Sequence, residues 1–385
     1  MGWFNFKKEI KVSVDSYQSF STPFGKIGKG NLSLPYITDQ YTGGGGYVLF
    51  GNDNLYPQLL NQIYYSSPLH SSIVNFTANA VIGGGYELGL ERKTPQEKVE
   101  YYTWLNRLKL NKTLQAITLD LIIHKRVYFI INKDKGTSIR VAPEKVRTNN
   151  DKSLYFICND WSRQVNIKPI KPYHVTCKDK EQLYVYEVYS VGQDIYSLPS
   201  YSSALNWMFL DGDMSNLHKS NIQNSIFPSF ALMFPKKFQN DEEKRSIQQT
   251  VEKAKGSSEA GKVVVFSANQ KELLPEIVPI PTNNNDKLFI ETDEQINLKI
   301  CQAHTIDPML MGVRVSGKLG GGSDIKQAYI VWEKNIVMPL RNDIEFIFNE
   351  ILSICGLHPT FILNDYQILN ETIIETINDK ETKKS

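Results

Sequence analysis

The sequence predicts an α+β fold. Three observations carry that prediction. Up to His124, apolar residues recur every three or four positions behind recognisable helix starts. From Val127 to Tyr189 they recur every two, in short runs divided by turn residues. Beyond Ser202 the helical period returns, interrupted by a proline-bracketed segment with strand-like runs. Helices followed by strands are the pattern of an α+β unit.

Taken in order, residues 1–49 read as a loosely ordered arm ending near the four-glycine run Gly43–Gly46. Folding signals begin at Phe50. Ser67-Pro68 supplies an N-cap and a proline for the first helical position. Leu69, Ile73, Phe76 and Ala80 follow at helical spacing, and Gly83-Gly84-Gly85 stops that helix. Thr94-Pro95-Gln96-Glu97 is a capping box. It opens a helix expected to bury Val99, Tyr102, Leu105 and Leu108. A third helix is expected over 114–124. Residues 127–131 and 138–141 form a hairpin about the turn Lys133-Asp-Lys-Gly136, and 154–158 and 183–189 are further strands.

A long helix starts at Ser202 or Ser203 and carries Leu205, Phe209, Leu217 and Ile222, with Gly212 weakening it. Pro228 and Pro235 bracket a strand-like run, 229–234. A charged helix over 241–255 and a strand over 262–266 follow; 273–281 is too rich in proline for a central strand. The next helix covers about 289–303, with Ile296, Ile300 and Ala303 on one face, and Pro308 helps to end it. The longest periodic segment runs from Ile325 through Trp332, Leu340 and Ile347 to Ile354. Ser323 or Asp324 caps it. As one helix, 324–354 is ~45 Å long at 1.5 Å per residue. Pro339 must kink it, since proline removes one backbone donor and crowds the preceding turn. The tail beyond 365 is polar and expected to fray.

The bulk numbers narrow the function. The chain has 385 residues and a formal charge of +2, from 43 basic against 41 acidic side chains. No global field steers it onto nucleic acid, so such contact must come from local charge or from repetition of the subunit. Cys158, Cys177, Cys301 and Cys355 are far apart and form no CxxC; they read as free thiols of a reducing compartment. The six histidines form no metal motif, and no apolar run of about 18 residues exists to span a membrane. No catalytic constellation or cofactor motif is present.

The stretch GVRVSGKLGGGSD, 312–324, fits G-x-x-x-x-G-K-[ST] except at its last position, where Leu319 replaces the hydroxyl that would hold Mg²⁺. A P-loop also needs a preceding strand and a helix rising from the lysine, whereas a helix precedes this loop and Gly320, Gly321 and Gly322 follow Lys318. What remains is a supple loop (Gly312, Gly317, Gly320–Gly322) with two cations, Arg314 and Lys318, beside the positive end of a helix.

The order of parts resembles the portal proteins of tailed bacteriophages. The resemblance rests on Tyr56-Pro57-Gln58-Leu59-Leu60, on Ser67–Val74, on Val81–Tyr86, on Leu198-Pro199-Ser200-Tyr201, and above all on His304-Thr-Ile-Asp-Pro308-Met-Leu-Met-Gly312 before the glycine loop and the helix with Met338-Pro339-Leu340. It covers about residues 50–360. It implies a portal-like architecture: an α/β wing (50–200), stem helix 1 (201–226), a small β-containing clip (227–287), stem helix 2 (288–305), a channel loop (306–323), a long kinked helix returning to the wing (324–365), and a vestigial crown in the tail (366–385).

The resemblance also implies a function: a homo-oligomeric ring, usually a dodecamer, at one capsid vertex of the virion, assembled in the host bacterial cytoplasm. Double-stranded DNA crosses the ring in packaging and ejection. Implied partners are the terminase large subunit, a head-completion or tail adaptor protein and the major capsid protein. Gly312, Arg314, Gly317, Lys318, Gly320, Gly321 and Gly322 are the candidate channel loop. Lys299 is a candidate lining residue, Pro339 the helix kink, and Lys236, Lys237, Lys244 and Arg245 candidates for terminase or adaptor docking. Two rival readings stay open on sequence: a P-loop-like nucleotide-binding enzyme, and another structural virion, tail or baseplate component.

Overall fold

The computed structural model describes residues 46–91, 93–224, 230–233, 276–279, 285–313, 322–357 and 360–365. Its elements follow the expected order. Helices α1 (Tyr56–Ser66), α2 (Pro68–Ile82), α3 (Pro95–Leu108) and α4 (Leu110–His124) come first. Between α2 and α3 lies β1 (Tyr86–Leu88). The sheet region follows: β2 (Arg126–Asn132), β3 (Thr137–Val141), β4 (Val146–Thr148), β5 (Tyr155–Ile157), β6 (Lys168–Ile170) and β7 (Glu181–Glu187). Helix α5 (Leu205–Asn224) leads to β8 (Phe230–Met233) and β9 (Glu276–Pro279). Helices α6 (Asn285–Ala303), α7 (Gly322–Trp332) and α8 (Met338–Ile354) and strand β10 (Phe361–Leu363) complete the order.

The caps work as read. The Ser67 hydroxyl accepts from the His70 backbone, and the Thr94–Glu97 box closes in both directions. The face of α3 differs from the expectation. Tyr101, Trp104, Leu105 and Leu108 are buried, whereas Val99 and Tyr102 are 61% and 53% exposed. The apolar positions admitted two helical stripes, and the one carrying the large Trp104 and Tyr101 side chains is the one that packs, since those rings remove the most area from water. Helix α4 begins at Leu110, four residues before the expected start, directly after Lys109 in a left-handed conformation (φ 53°). Packing also begins before residue 50: Tyr47 and Val48 are buried, with the Val48 amide bonded to the Thr148 carbonyl.

Strands β3-β2-β7 form one antiparallel sheet and β4-β5-β6 another among the described residues. Alternation along β2 joins them. Val127, Phe129 and Ile131 enter the main core, while Tyr128 enters a second cluster with Val141, Val146, Tyr155, Ile170 and Leu183. Strand β1 pairs with β10 across most of the chain, Tyr86 opposite Leu363 and Leu88 opposite Phe361. Only glycine fits at position 84, where a Cβ would sit 2.3 Å from the Asn364 carbonyl oxygen.

Residues 276–279 form a strand, and not a central one: among the described residues its sheet has two strands. It pairs antiparallel with β8, and Pro279 stands at the ladder's end opposite Phe230, where a missing donor is tolerated. The expected helix 241–255 and strand 262–266 lie outside the described residues. Helix α5 runs through Gly212, where a Cβ would meet the Ser66 carbonyl oxygen at 3.1 Å. The glycine lets α5 approach the end of α1 rather than simply weakening the helix.

The kink at Pro339 takes a specific form. Residues Glu333–Val337 make a π turn between α7 and α8, and the Met338 amide bonds to the Glu333 carbonyl five residues back. The wider turn accommodates a proline that has no amide to give and would crowd an ordinary α turn.

Arg341, one residue past the start of α8's apolar face, is buried. It donates to the Ala80 carbonyl (2.8 Å), to the Val81 carbonyl (3.3 Å) and to Asp365 (2.6 Å). Those are end carbonyls of α2, which have no partners within the helix. Replacing Arg341 with Met keeps the volume and strips those carbonyls of donors. The expected loss is on the order of 1–3 kcal/mol, seen as a lowered urea midpoint with an unchanged slope.

Candidate functional site

The loop 306–323 is built from a helix end, a tight turn and a helix start. Helix α6 buries Ile296, Ile300 and Cys301 and turns Lys299 outward, where its ammonium meets the Gln302 amide oxygen at 3.3 Å. After Ala303 the chain closes on itself: the His304, Thr305 and Ile306 amides bond to the Ile300, Gln302 and Cys301 carbonyls. Asp307 then caps a 3₁₀ turn, Pro308–Met311, accepting from the Met309 amide. Gly312 ends that turn at φ 70°, a left-handed conformation that costs glycine least, and its amide bonds to the Met309 carbonyl. Among the described residues, chain neighbours aside, no atom lies within 4 Å of where a Gly312 Cβ would be, so the backbone angle favours glycine here.

Arg314, Gly317, Lys318, Gly320 and Gly321 lie outside the described residues. Gly322 belongs not to the loop but to α7, as its first residue, and Asp324 sits in that helix's first turn, where an acid complements the exposed amides. Lys236, Lys237, Lys244 and Arg245 also lie outside the described residues. The element before Gly312 is a 3₁₀ turn rather than a strand, so the strand–loop–helix context of a P-loop is missing. No group of metal-ligating side chains occurs among the described residues.

A buried polar junction holds the end of α6. His304 lies against His70 of α2, with Nε2 2.8 Å from His70 Nδ1. Both rings pack on Tyr201, at centroid distances of 5.1 and 4.7 Å, and the Tyr201 hydroxyl donates to the Ile123 carbonyl of α4. Burial, and then the neighbouring His304, hold His70 well below the ordinary imidazole range. Burial and the Lys125 charge bring His304 down to about 4. Both rings are therefore neutral at pH 7, and one donates to the other. Close by, Asp211 of α5 accepts from the Ser67 hydroxyl (2.6 Å) and the Leu69 amide (3.3 Å) at the start of α2.

Sequence reasoning missed His70, Asp211, His304 and Arg341. The sequence marks each as a polar residue on an otherwise apolar helical face or at a helix end, as His70 is beside Leu69 and Ile73, but it does not name their partners.

The fold has close likenesses. The chain superposes on a chain from the neck of an empty GTA particle with a TM-score of 0.60 and 14% identity, over 90% of this chain and 93% of that one. A chain of the virion of a native gene transfer agent particle gives 0.59 and 14%, over 91% and 93%. At that identity the likeness is one of fold alone. The family model of the phage portal protein matches residues 94–370, well over half of the sequence. This chain belongs to the phage portal protein family. The probable portal protein of Escherichia phage P2 is 22% identical over 157 residues. That match takes in 41% of this chain and 45% of the P2 protein, so it spans less than half the length of that relative.

The His70–His304 pair makes stability depend on pH. Both folded values are depressed below the unfolded value near 6.5. Stability is thus complete above pH 6.5 and falls as pH drops from 6.5 toward about 4. The expected loss is on the order of 1–3 kcal/mol. His304→Gln, which gains no charge, flattens the curve of unfolding midpoint against pH over that window.

Proposed function

We propose that this chain is a portal subunit: copies close into a ring, twelve in number, at one capsid vertex, and double-stranded DNA passes along the axis in packaging and ejection. Family membership supports this reading; the particle necks whose chains share the fold were computed with C6 and with C12 symmetry, both of which are closed rings. Helices α5 and α6 are the stem, β8 and β9 belong to the clip, and α7 with α8 is the kinked helix returning to the wing.

The observation that carries the mechanism is the anchoring of the 306–323 segment. On one side the Asp307-capped turn ends at Gly312, on the other α7 starts at Gly322, and Arg314 and Lys318 fall between them in sequence. In this reading the loop faces the channel and its cations touch phosphates, which reads no sequence. A conduit must let its cargo slide, and counterion release makes each added phosphate contact tighten the grip. Two cations per loop on a nearly neutral subunit suit that need. The clip, with Lys236, Lys237, Lys244 and Arg245, docks the terminase large subunit and later the head-completion or tail adaptor; the major capsid protein surrounds the wing. The subunit is structural, and a separate ATPase supplies the force. Assembly takes place in the host bacterial cytoplasm, without a membrane; no described helix is long and apolar enough to cross one.

The test is direct. Arg314→Ala with Lys318→Ala leaves the ring and its subunit count unchanged in negative-stain images, and lowers the yield of filled capsids at least ~10-fold. Full packaging by the double variant rules out the DNA contact. A monomer or trimer in the images rules out the ring.

A further inference from the structure

Two strips of apolar surface stand open to solvent. The first is the side of α3 that turns away from the core, with Val99 and Tyr102 61% and 53% exposed and the exposed Thr103 and Asn106 beside them. The second runs along α7 and α8 across the π turn. Val331, Met338 and Phe346, seven and then eight residues apart, are 60%, 45% and 52% exposed, and the exposed Asn335 and Asn342 lie between them. A single exposed apolar residue is ordinary, but a row at helical spacing marks a surface for a partner. The strips sit at opposite edges of one sheet. Its strand order is β3-β2-β7. Helix α3 packs beside β3, and the Phe346 ring lies 6.0 Å from that of Tyr186 in β7. Strips so placed do not cover each other within one chain. Between chains they can meet, the face of one subunit on the unlike face of the next, and contacts of that kind close into rings.

We propose that α3 of one subunit seats on the α7–α8 strip of a second copy of this chain, packing Val99 and Tyr102 against Val331, Met338 and Phe346. This rests on the ring proposed above and names two faces that hold it together. Charge selects the occupant. From residue 101 to 119 the charged side chains are Arg107, Lys109 and Lys112, all exposed, at the end of α3 and the start of α4. From 342 to 356 they are Asp343, Glu345 and Glu350, along α8. None of these six forms an ion pair among the described residues. The three acids accept instead from neutral donors, the Tyr186 hydroxyl, the Leu363 amide and the Tyr184 hydroxyl, and Lys125 acts on Asp343 at longer range. The remaining charges near the strips balance: Lys93 pairs with Glu97 at the start of α3, Lys98 stands with Glu100, and Glu333 with Lys334 in the π turn. A basic end on one strip and an acidic flank on the other steer unlike faces together and oppose the pairing of like ones.

Mixing two full-length variants tests this by native mass spectrometry. Val99→Asp with Tyr102→Asp breaks one face, and Met338→Asp with Phe346→Asp breaks the other. Each variant alone is a folded monomer, with its assembled fraction at least ~10-fold below that of the wild type. Mixed, they form dimers of one copy of each and nothing larger, because each keeps the face that the other lacks. The same two pairs changed to Ser give the same result without an added charge, which covers a variant that fails to fold. Rings in either variant overturn this proposal, assign the strips to another protein and leave the ring reading standing. Dimers of one variant alone show like faces pairing and also overturn it, as does a mixture that stays monomeric. A wild-type chain that stays monomeric overturns this proposal and the ring together.

Discussion

The ends of one buried helix govern how the parts of this chain join. A helix leaves its first amides and last carbonyls without internal partners, and inside a protein those groups must find others. In α2 the accounting is complete. Pro68 has no amide; the Leu69 amide goes to Asp211, the His70 amide to the Ser67 hydroxyl and the Ser71 amide to the Ser67 carbonyl. At the other end Gly83 and Gly85 serve Asn79 and Ile82, and Arg341 serves Ala80 and Val81. The donors and acceptors from elsewhere come from α5 and α8, and His304 just past the end of α6 meets His70 in the first turn. One strut thus fixes the outgoing helix, the returning helix and the kinked helix. The turn that ends at Gly312 inherits its position from that arrangement.

The sequence was most legible where a local rule acts alone. Ser67-Pro68, the Thr94 box, the Lys133–Gly136 turn and the long apolar period after Asp324 each need only neighbours in the chain. It was least legible where a distant partner decides. The choice between Val99-Tyr102 and Tyr101-Trp104 as the inner face of α3 is made by what lies beneath that helix. The pairing of β1 with β10 joins three-residue strands too short to announce themselves. Pro339 declared a disturbance, but the π turn that absorbs it depends on how α7 and α8 must each lie.

The candidate site divides the same way. Gly312 was readable because a left-handed turn after a helix asks for glycine. The rejection of a P-loop was readable from Leu319 and stands on the 3₁₀ turn before Gly312. The buried pair His70–His304 was not readable, because a lone histidine on an apolar helix names no partner until the helix 234 residues later is brought to it.

The seam between β1 and β10 has a consequence for how the molecule is made. Leu88 and Phe361 are neighbours in space, yet the whole outward excursion through α5, β8, β9 and α6 lies between them. Closing so long a loop is entropically costly at the outset, though the cost grows only with the logarithm of its length. The body therefore seals late, after the excursion has been synthesised, and contacts this remote in sequence make for slow folding. Until then the groove around Gly84 stands open to solvent, and a nascent subunit is more vulnerable to mispairing than the finished one.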